Sequence, residues 1–167
     1  MAVRTLGRSG TVDSAVRAGL RLLAARSRSR HELRLALQRR GFTPRQQNAA
    51  LARLDSLGYL DDARFARQRA ATLLSNGFGP RSVLSRLLAH GLTDAEAKRG
   101  LRESESEIGF NELEAAQGLL RKRRLDAPAD RKSLARAARL LGARGFSEEV
   151  ISRLIGQAAL DSERQDD

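Results

Sequence analysis

Histidines and one pair of aspartates are the side chains of this sequence that could support acid–base catalysis or metal binding. The histidines are His31 and His90, and the aspartates are the adjacent Asp61 and Asp62. Each histidine lies beside a predicted helix end, where it most often caps the helix or faces solvent, and the aspartates precede a helix, where carboxylates commonly cap. We therefore expect no catalytic residue and no metal site.

Other forms of catalysis also lack their residues. The chain has no cysteine, so it has neither a thiolate nucleophile nor a disulfide framework. It contains no glycine-rich loop with the lysine that would hold the phosphates of ATP, and no serine in a nucleophile elbow. The sequence therefore predicts a protein that is not an enzyme and needs no cofactor.

Basic residues provide the remaining chemistry, because guanidinium groups bind phosphates and carboxylates. Two clusters are the candidates for nucleic-acid or filament binding. The first surrounds two predicted helix junctions and contains Arg26, Arg28, Arg30, Arg39, Arg40 and Arg45; the second contains Arg121, Lys122, Arg123 and Arg124. Aromatic residues are scarce beside both clusters, so sequence-specific reading of DNA is not expected. Each arginine taken singly also fits a solvated helix face.

The net charge of +11 is concentrated in the first part of the chain. Residues 1–60 contain 12 arginines and three acidic residues, residues 61–102 carry a net charge of +4, and residues 103–167 carry −2. A positive field of this kind favours nucleic acid or another polyanion as the partner.

The composition predicts an all-α protein. Leu, Ala and Arg are abundant helix formers, and only five Phe, one Tyr and no Trp are present. No apolar run is long enough to span a membrane, and the basic segment 1–10 lacks the apolar core of a signal peptide. We expect a disordered leader over residues 1–10 and a cytoplasmic monomer.

Start and stop signals predict nine helices. Capping boxes at Ser29, Thr43 and Thr93 open the second, third and sixth helices, and the sixth runs to about Arg102. The acidic segment 103–107 either extends that helix or forms a linker. The seventh helix starts at Phe110 or Asn111 and ends near Arg124.

The third and fourth helices meet in the stretch that organises the chain. Gly58 is suited to end one helix in a left-handed conformation, and either Asp61 or Asp62 can cap the next. Apolar residues continue across the break. The structural motif comprises Gly58, Tyr59, Leu60, Asp61, Asp62, Phe65 and Ala66.

A glycine followed by an apolar residue and a hydroxyl N-cap occurs three times in matching helical context. The glycines are Gly41, Gly91 and Gly145. Such a recurrence predicts three tandem three-helix repeats. We place the repeats at residues 11–60, 61–104 and 105–160, followed by an acidic tail over 161–167.

The run from Leu54 to Ala66, with Gly-Tyr-Leu-Asp-Asp at its centre, resembles the signature of the RecX family. Further similarity lies in Ser29-Arg-x-Glu-Leu33, in Gly41-Phe42, and in the segment from Gly79 to Leu92. The resemblance covers about residues 14–102, and Gly145-Phe146 supports it beyond residue 110. It implies three tandem repeats in an elongated, curved helical array.

The resemblance also implies a function, since members of the family bind the RecA recombinase and its filament on single-stranded DNA, and most restrain RecA. We expect a regulator of RecA, acting as an inhibitor as most family members do. It would modulate ATPase activity and strand exchange, and through them DNA repair and the SOS response. We also expect it to bind single- or double-stranded DNA without sequence preference. Two alternatives remain open. One is a sequence-independent nucleic-acid-binding helical protein without a recombinase partner. The other, less favoured by the acidic turn at Asp61 and Asp62, is a helix–turn–helix transcription factor.

Overall fold

The computed structural model describes residues 11–126 and 130–163 of the chain, with side chains described as far as residue 158. Within these residues the chain forms nine helices and no strand. They are α1 (Val12–Ala25), α2 (Arg30–Gln38), α3 (Pro44–Ser56), α4 (Asp62–Ser75), α5 (Pro80–Ala89), α6 (Asp94–Ile108), α7 (Glu112–Lys122), α8 (Arg131–Arg144) and α9 (Glu148–Glu163). The predicted all-α fold is confirmed. The expected leader, residues 1–10, and the end of the expected tail, residues 164–167, lie outside the described residues.

Polar side chains at the N-termini explain where most helices begin. The three predicted capping boxes are present at Ser29, Thr43 and Thr93, each with its reciprocating Glu or Gln three residues later. Such a box satisfies backbone N–H groups that the helix itself leaves unpaired. Asn111 caps α7, as one of the two predicted starts requires, and Asp130 caps α8.

Glycines in the left-handed region explain where most of the described helices end. After α3, the N–H of Gly58 donates to the carbonyl of Asp55 (2.8 Å) and the N–H of Tyr59 donates to Leu54 (2.9 Å), which is the Schellman pattern. The N–H of Phe42 donates in the same way to the carbonyl of Leu37, and the N–H of Phe146 to that of Leu141. The apolar residue after each glycine is thereby turned back toward the helix that has just ended.

Helix α6 is longer than the predicted end near Arg102, because it continues through the acidic segment to Ile108. Arg99 and Glu103 form an ion pair of 2.7 Å one turn apart, and Ser104 lies on the buried face. Residues 103–107 therefore extend the helix, which ends at Gly109. Helix α7 ends at Lys122, two residues before the predicted position.

Three units of three helices build the array. Helix α1 packs on α3, α4 packs on α6, and α7 and α8 both contact α9. The buried apolar side chains form three separate clusters, one per unit, with Leu60 in the first and Phe65 in the second. The domain boundaries at residues 60/61 and 104/105 stay predictions, and the second of these positions falls within α6.

The middle helices of the units meet end to end. The carbonyl of His90, at the end of α5, accepts a hydrogen bond of 2.6 Å from the hydroxyl of Ser29, the N-cap of α2. The carbonyl of Arg144, at the end of α8, accepts one of 2.8 Å from the N–H of Gly79, the N-cap of α5. A helix C-terminus thus lies against a helix N-terminus at both junctions, which is the favourable orientation of the two dipoles.

Candidate nucleic-acid and filament interface

Helix ends position the first arginine cluster. Helix α1 is followed by Arg26 and Arg28. Helix α2 begins at Arg30 and is followed by Arg39 and Arg40. Burial lowers the pKa of Arg28, and the positive charges of Arg26, Arg40 and Arg39 lower it further. The guanidinium group of Arg28 therefore lies close enough to those of Arg26, Arg39 and Arg40 to be repelled by each of them, so the structure gathers these members of the predicted cluster around Arg28.

Two members of this cluster are engaged in ion pairs. Arg26 donates two hydrogen bonds to the carboxylate of Glu32, at 2.9 and 3.1 Å, and these bonds raise the pKa of Arg26. Arg30 pairs with Asp55 at 2.6 Å. Within the described part of the chain, no acidic side chain pairs with Arg28, Arg39, Arg40 or Arg45. The uncompensated positive charge of the cluster therefore belongs to these four residues.

The second cluster lies at the end of α7, in the third unit. Arg121, Lys122, Arg123 and Arg124 are all exposed, and no acidic residue among those described pairs with them. Arg124 has a φ of +56°, so an arginine occupies the left-handed position that glycine takes at the other Schellman ends. That conformation costs roughly 1–2 kcal/mol for a residue with a Cβ atom. Binding by either cluster stays a prediction.

The two aspartates of the structural motif have different partners. Asp61 caps its own helix, since its carboxylate accepts the N–H of Arg64 at 2.8 Å. The Asp62 carboxylate instead accepts the N–H of Arg30, the first residue of α2, at 2.8 Å. Burial raises the pKa of Asp62 despite that hydrogen bond. The motif thus fixes the start of α4 and holds the preceding unit against it.

His90 has a larger role than the capping or surface position expected from the sequence. Its Nδ1 atom lies 3.4 Å from Glu32, and its ring makes an edge contact with the ring of Phe65 at 5.4 Å between centroids. Burial by itself raises the pKa of Glu32, but the hydrogen bonds and charge of Arg26, the N–H of Ser29 and the charge of His90 hold that pKa below its ordinary value. These contacts join α2, α4 and α5 in one polar junction.

A groove lies between the first two units. Arg64 and Arg69 on its wall were not predicted from the sequence. Two cavities, of about 440 and 480 Å³, share Ser27, Phe65 and Gln68 as a common wall. We call them together the inter-repeat groove. Arg69 lines the first cavity, and Arg64 and Tyr59 line the second. Arg64 and Arg69 lie in α4 with no local pattern to mark them, and only the packing of α4 near the end of α1 places them in a groove.

Among the described residues, no group of three or more His, Cys, Asp or Glu side chains is placed to hold a metal ion. None of the helices in that part of the chain is both long and apolar enough to cross a membrane.

Comparison with known proteins gives one consistent result. The family model described as RecX, first three-helix domain, matches residues 15–54. A relative from Halorhodospira halophila named regulatory protein RecX is 34% identical over 162 residues, which are 95% of this chain and 98% of the relative. A protein of the same name from Xanthomonas campestris is 35% identical over 146 residues, 87% of this chain and 88% of the relative.

The fold has a counterpart of known structure. The crystal structure of RecX from Lactobacillus salivarius superimposes with a TM-score of 0.73, covering 89% of this chain and 97% of that one, at 20% sequence identity. This likeness concerns the helical array, because the identity is too low to carry individual residue roles.

Proposed function

Since this chain belongs to the RecX family of regulatory proteins, we propose that it regulates the RecA recombinase by binding RecA and its filament on single-stranded DNA. The observation that carries the proposal is the similarity to proteins named regulatory protein RecX along 95% of the chain. The resemblance noted from the Gly58 to Ala66 motif leads to the same partner.

The arrangement of the helices supports binding to a filament. Three units joined end to end spread their exposed helix ends along the array, so the first and second basic clusters lie in different units. Several modest contacts on one chain raise the overall affinity, provided that they engage together. In a filament, such contacts would join neighbouring RecA subunits or join a subunit to DNA. Holding neighbours in a fixed relation opposes the subunit motions of ATP turnover, so inhibition is the proposed direction.

The charges support a contribution from nucleic acid. Arg39, Arg40 and Arg45 are exposed and have no acidic partner within the described residues, and the first 60 residues carry +9. Phosphate contacts of this kind are electrostatic and do not read sequence. We therefore propose DNA binding without sequence preference, in support of the contact with RecA.

Capture of RecA tests the proposal. The full chain is immobilised and incubated with RecA, with and without single-stranded DNA, and DNA-dependent ATP hydrolysis by RecA is measured with increasing amounts of the chain. We expect RecA to be retained, more strongly on DNA, and its ATPase rate to fall. Retention of DNA without any retention of RecA, and an unchanged ATPase rate, would favour the alternative of a nucleic-acid-binding protein without a recombinase partner.

A further inference from the structure

Arg69 is a partly buried basic residue of α4 that has no acidic partner among the described residues. Its Nε atom is buried and makes no hydrogen bond, and none of the acidic side chains described pairs with its guanidinium group. A buried donor left unpaired costs stability, because it loses its water without gaining a protein acceptor. An anion that enters the groove would supply the opposite charge that the described acidic residues do not give to the Arg69 guanidinium group.

The first cavity of the inter-repeat groove is where such an anion fits. Arg69 lines this space of about 440 Å³ together with Gln68, Thr72 and His90, which offer further polar groups. Glu32 is the acidic side chain on the wall of this cavity, and it is already bound by two hydrogen bonds from Arg26 and faces His90. The charge of Arg69 is therefore not neutralised from within the cavity.

The second cavity extends the same chemistry along the groove. Arg28 and Arg64 line it, and Asp61, its acidic residue, is occupied in capping α4. Tyr59 lines the same cavity with 57% of its surface exposed. An exposed aromatic ring beside basic side chains is the combination that binds single-stranded nucleic acid, since bases stack on the ring and the phosphates meet the cations.

We propose that the inter-repeat groove binds the backbone of single-stranded nucleic acid, with one phosphate at Arg69, the next at Arg28 and Arg64, and a base stacked on Tyr59. The proposal rests on the nucleic-acid contact within the proposed function and gives that contact a location. Two adjoining cavities that each contain an unpaired arginine favour a chain of repeated phosphates over one small anion. The groove would order a strand between two units, whereas the exposed clusters at helix ends would attract it from solution.

Binding of the full chain to a fluorescent short oligothymidylate, measured by anisotropy at several salt concentrations, tests the proposal. We expect Arg69→Gln to weaken binding about tenfold, as the loss of a charge-assisted hydrogen bond predicts. The slope of log K against log salt should fall by about 0.7, the value for one phosphate contact on a single strand. The matched control is Arg34→Gln in α2, which removes the same charge from an exposed side chain that lines neither cavity. That control should lose about twofold, since only the screened general field changes.

Thermal unfolding followed by circular dichroism separates a binding role from a structural one. Arg69→Gln should keep or raise the melting temperature of the unbound chain, because an unpaired buried donor is removed. Arg64→Gln changes an exposed side chain at the other end of the groove and tests the site independently of the folding of the Arg69 variant. It should weaken oligonucleotide binding severalfold more than Arg34→Gln.

An abasic oligonucleotide, which has the sugar–phosphate backbone without bases, tests the role of Tyr59. Tyr59→Leu should weaken the binding of oligothymidylate and leave the binding of the abasic strand unchanged. Equal losses for Arg69→Gln, Arg64→Gln and Arg34→Gln would overturn the site. The site would also be overturned if Arg69→Gln left oligonucleotide binding unchanged but weakened the capture of RecA in the absence of DNA. The cavity would then hold a carboxylate of the protein partner. If the chain does not capture RecA but its binding to DNA depends on Arg69, only the proposed regulation of RecA is overturned.

Discussion

The hydroxyl of Ser29 donates a hydrogen bond of 2.6 Å to the carbonyl of His90, which lies 61 residues later in the chain. The same oxygen accepts the N–H of Glu32 at 3.1 Å, and Ser29 is fully buried. One side chain therefore starts α2 and satisfies the carbonyl at the end of α5. The capping box that the sequence reveals is at the same time the joint between two units.

Ser29→Ala should lower the free energy of unfolding by about 2 kcal/mol, about half from the lost cap and half from the unpaired carbonyl of His90. Thr93→Ala is the matched control, because Thr93 caps α6 with the same box but is exposed. It should cost about 1 kcal/mol. Urea unfolding measures both losses, and equal values would show that the bond to His90 contributes no stability.

Gly91→Ala should destabilise the protein more than Gly41→Ala. The two glycines have nearly the same φ, +79° and +81°, so both alanines incur the left-handed penalty of roughly 1–2 kcal/mol. A Cβ atom at Gly41 would meet no other atom, whereas one at Gly91 would overlap the side chain of His31. Rotation of the ring gives no relief, since the overlap includes the Cβ of His31. Overpacking should add roughly 1–3 kcal/mol at Gly91, and equal urea midpoints for the two variants would contradict the described junction.

Phe65→Ala should cost roughly 3–5 kcal/mol, the range for large-to-small changes in a core. Phe65 is only 5% exposed and its ring contacts His90, so the variant leaves a cavity at the junction of the first two units. The control is Leu57→Ala, a truncation at a side chain that is 56% exposed, which should change stability by no more than about 0.5 kcal/mol. A loss below about 1 kcal/mol for Phe65→Ala would mean that the ring does not hold the units together.

Glu32→Gln should destabilise the protein at neutral pH and not at low pH. Glutamine can still complete the capping box, but it has no charge for Arg26. Because the pKa of Glu32 in the folded chain is lowered from its ordinary value, chiefly by the hydrogen bonds and charge of Arg26 acting against burial, its ionised form contributes stability that is fully present above the unfolded pKa and is lost as the pH falls through the folded pKa. Urea unfolding at a series of pH values should show the difference between wild type and variant disappearing in that acidic range. A difference that persists unchanged there would assign the effect to packing.

Reversal of the exposed first-cluster charges should relieve inhibition of RecA without unfolding the chain. The variant is Arg39→Glu, Arg40→Glu and Arg45→Glu. Arg28 and Arg30 are left intact, because both are partly buried: Arg28 donates to the carbonyl of Leu22 and Arg30 pairs with Asp55. Arg40 also donates to a carbonyl, that of Ala36, but its side chain is exposed. Each reversal converts attraction to a phosphate into repulsion of similar size. The measurement is the DNA-dependent ATPase rate of RecA, with helicity checked by circular dichroism.

The matched control reverses three exposed arginines of the third unit, Arg131, Arg136 and Arg139, and should inhibit RecA as wild type does. Arg144 is excluded from the control, because its guanidinium group stacks on Phe78 at 4.9 Å and its carbonyl joins α8 to α5. If the variant with Arg39, Arg40 and Arg45 reversed is folded and inhibits RecA fully, these three arginines are only solvent-exposed side chains and do not contact the filament. Loss of inhibition in the control alone would move the interface to the third unit.

The helices were predictable because their ends depend on residues only a few positions apart. Ser29 and Glu32 are three residues apart, and Gly58 needs only the carbonyls of the turn before it, so both signals stand in the printed sequence. The RecX signature around Gly58 and Phe65 is similarly local. Segment 103–107 was ambiguous because serine and glutamate suit either an exposed helix or a linker, and the burial of Ser104 in the array decides between them.

The tertiary structure alone decided which groups are neutralised, which are buried and which meet. Arg26 and Arg39 belong to one cluster in sequence, but only the packing shows Arg26 held by Glu32 and Arg39 without an acidic partner. Asp62 caps a helix that begins 32 residues earlier, and Arg69 lies in a groove formed by two units. The physical reason is that no repeating pattern within a helix specifies which other helix end it will contact. That choice follows from the close packing of the units, and it determines both the joint at Ser29 and the unpaired charge of Arg69.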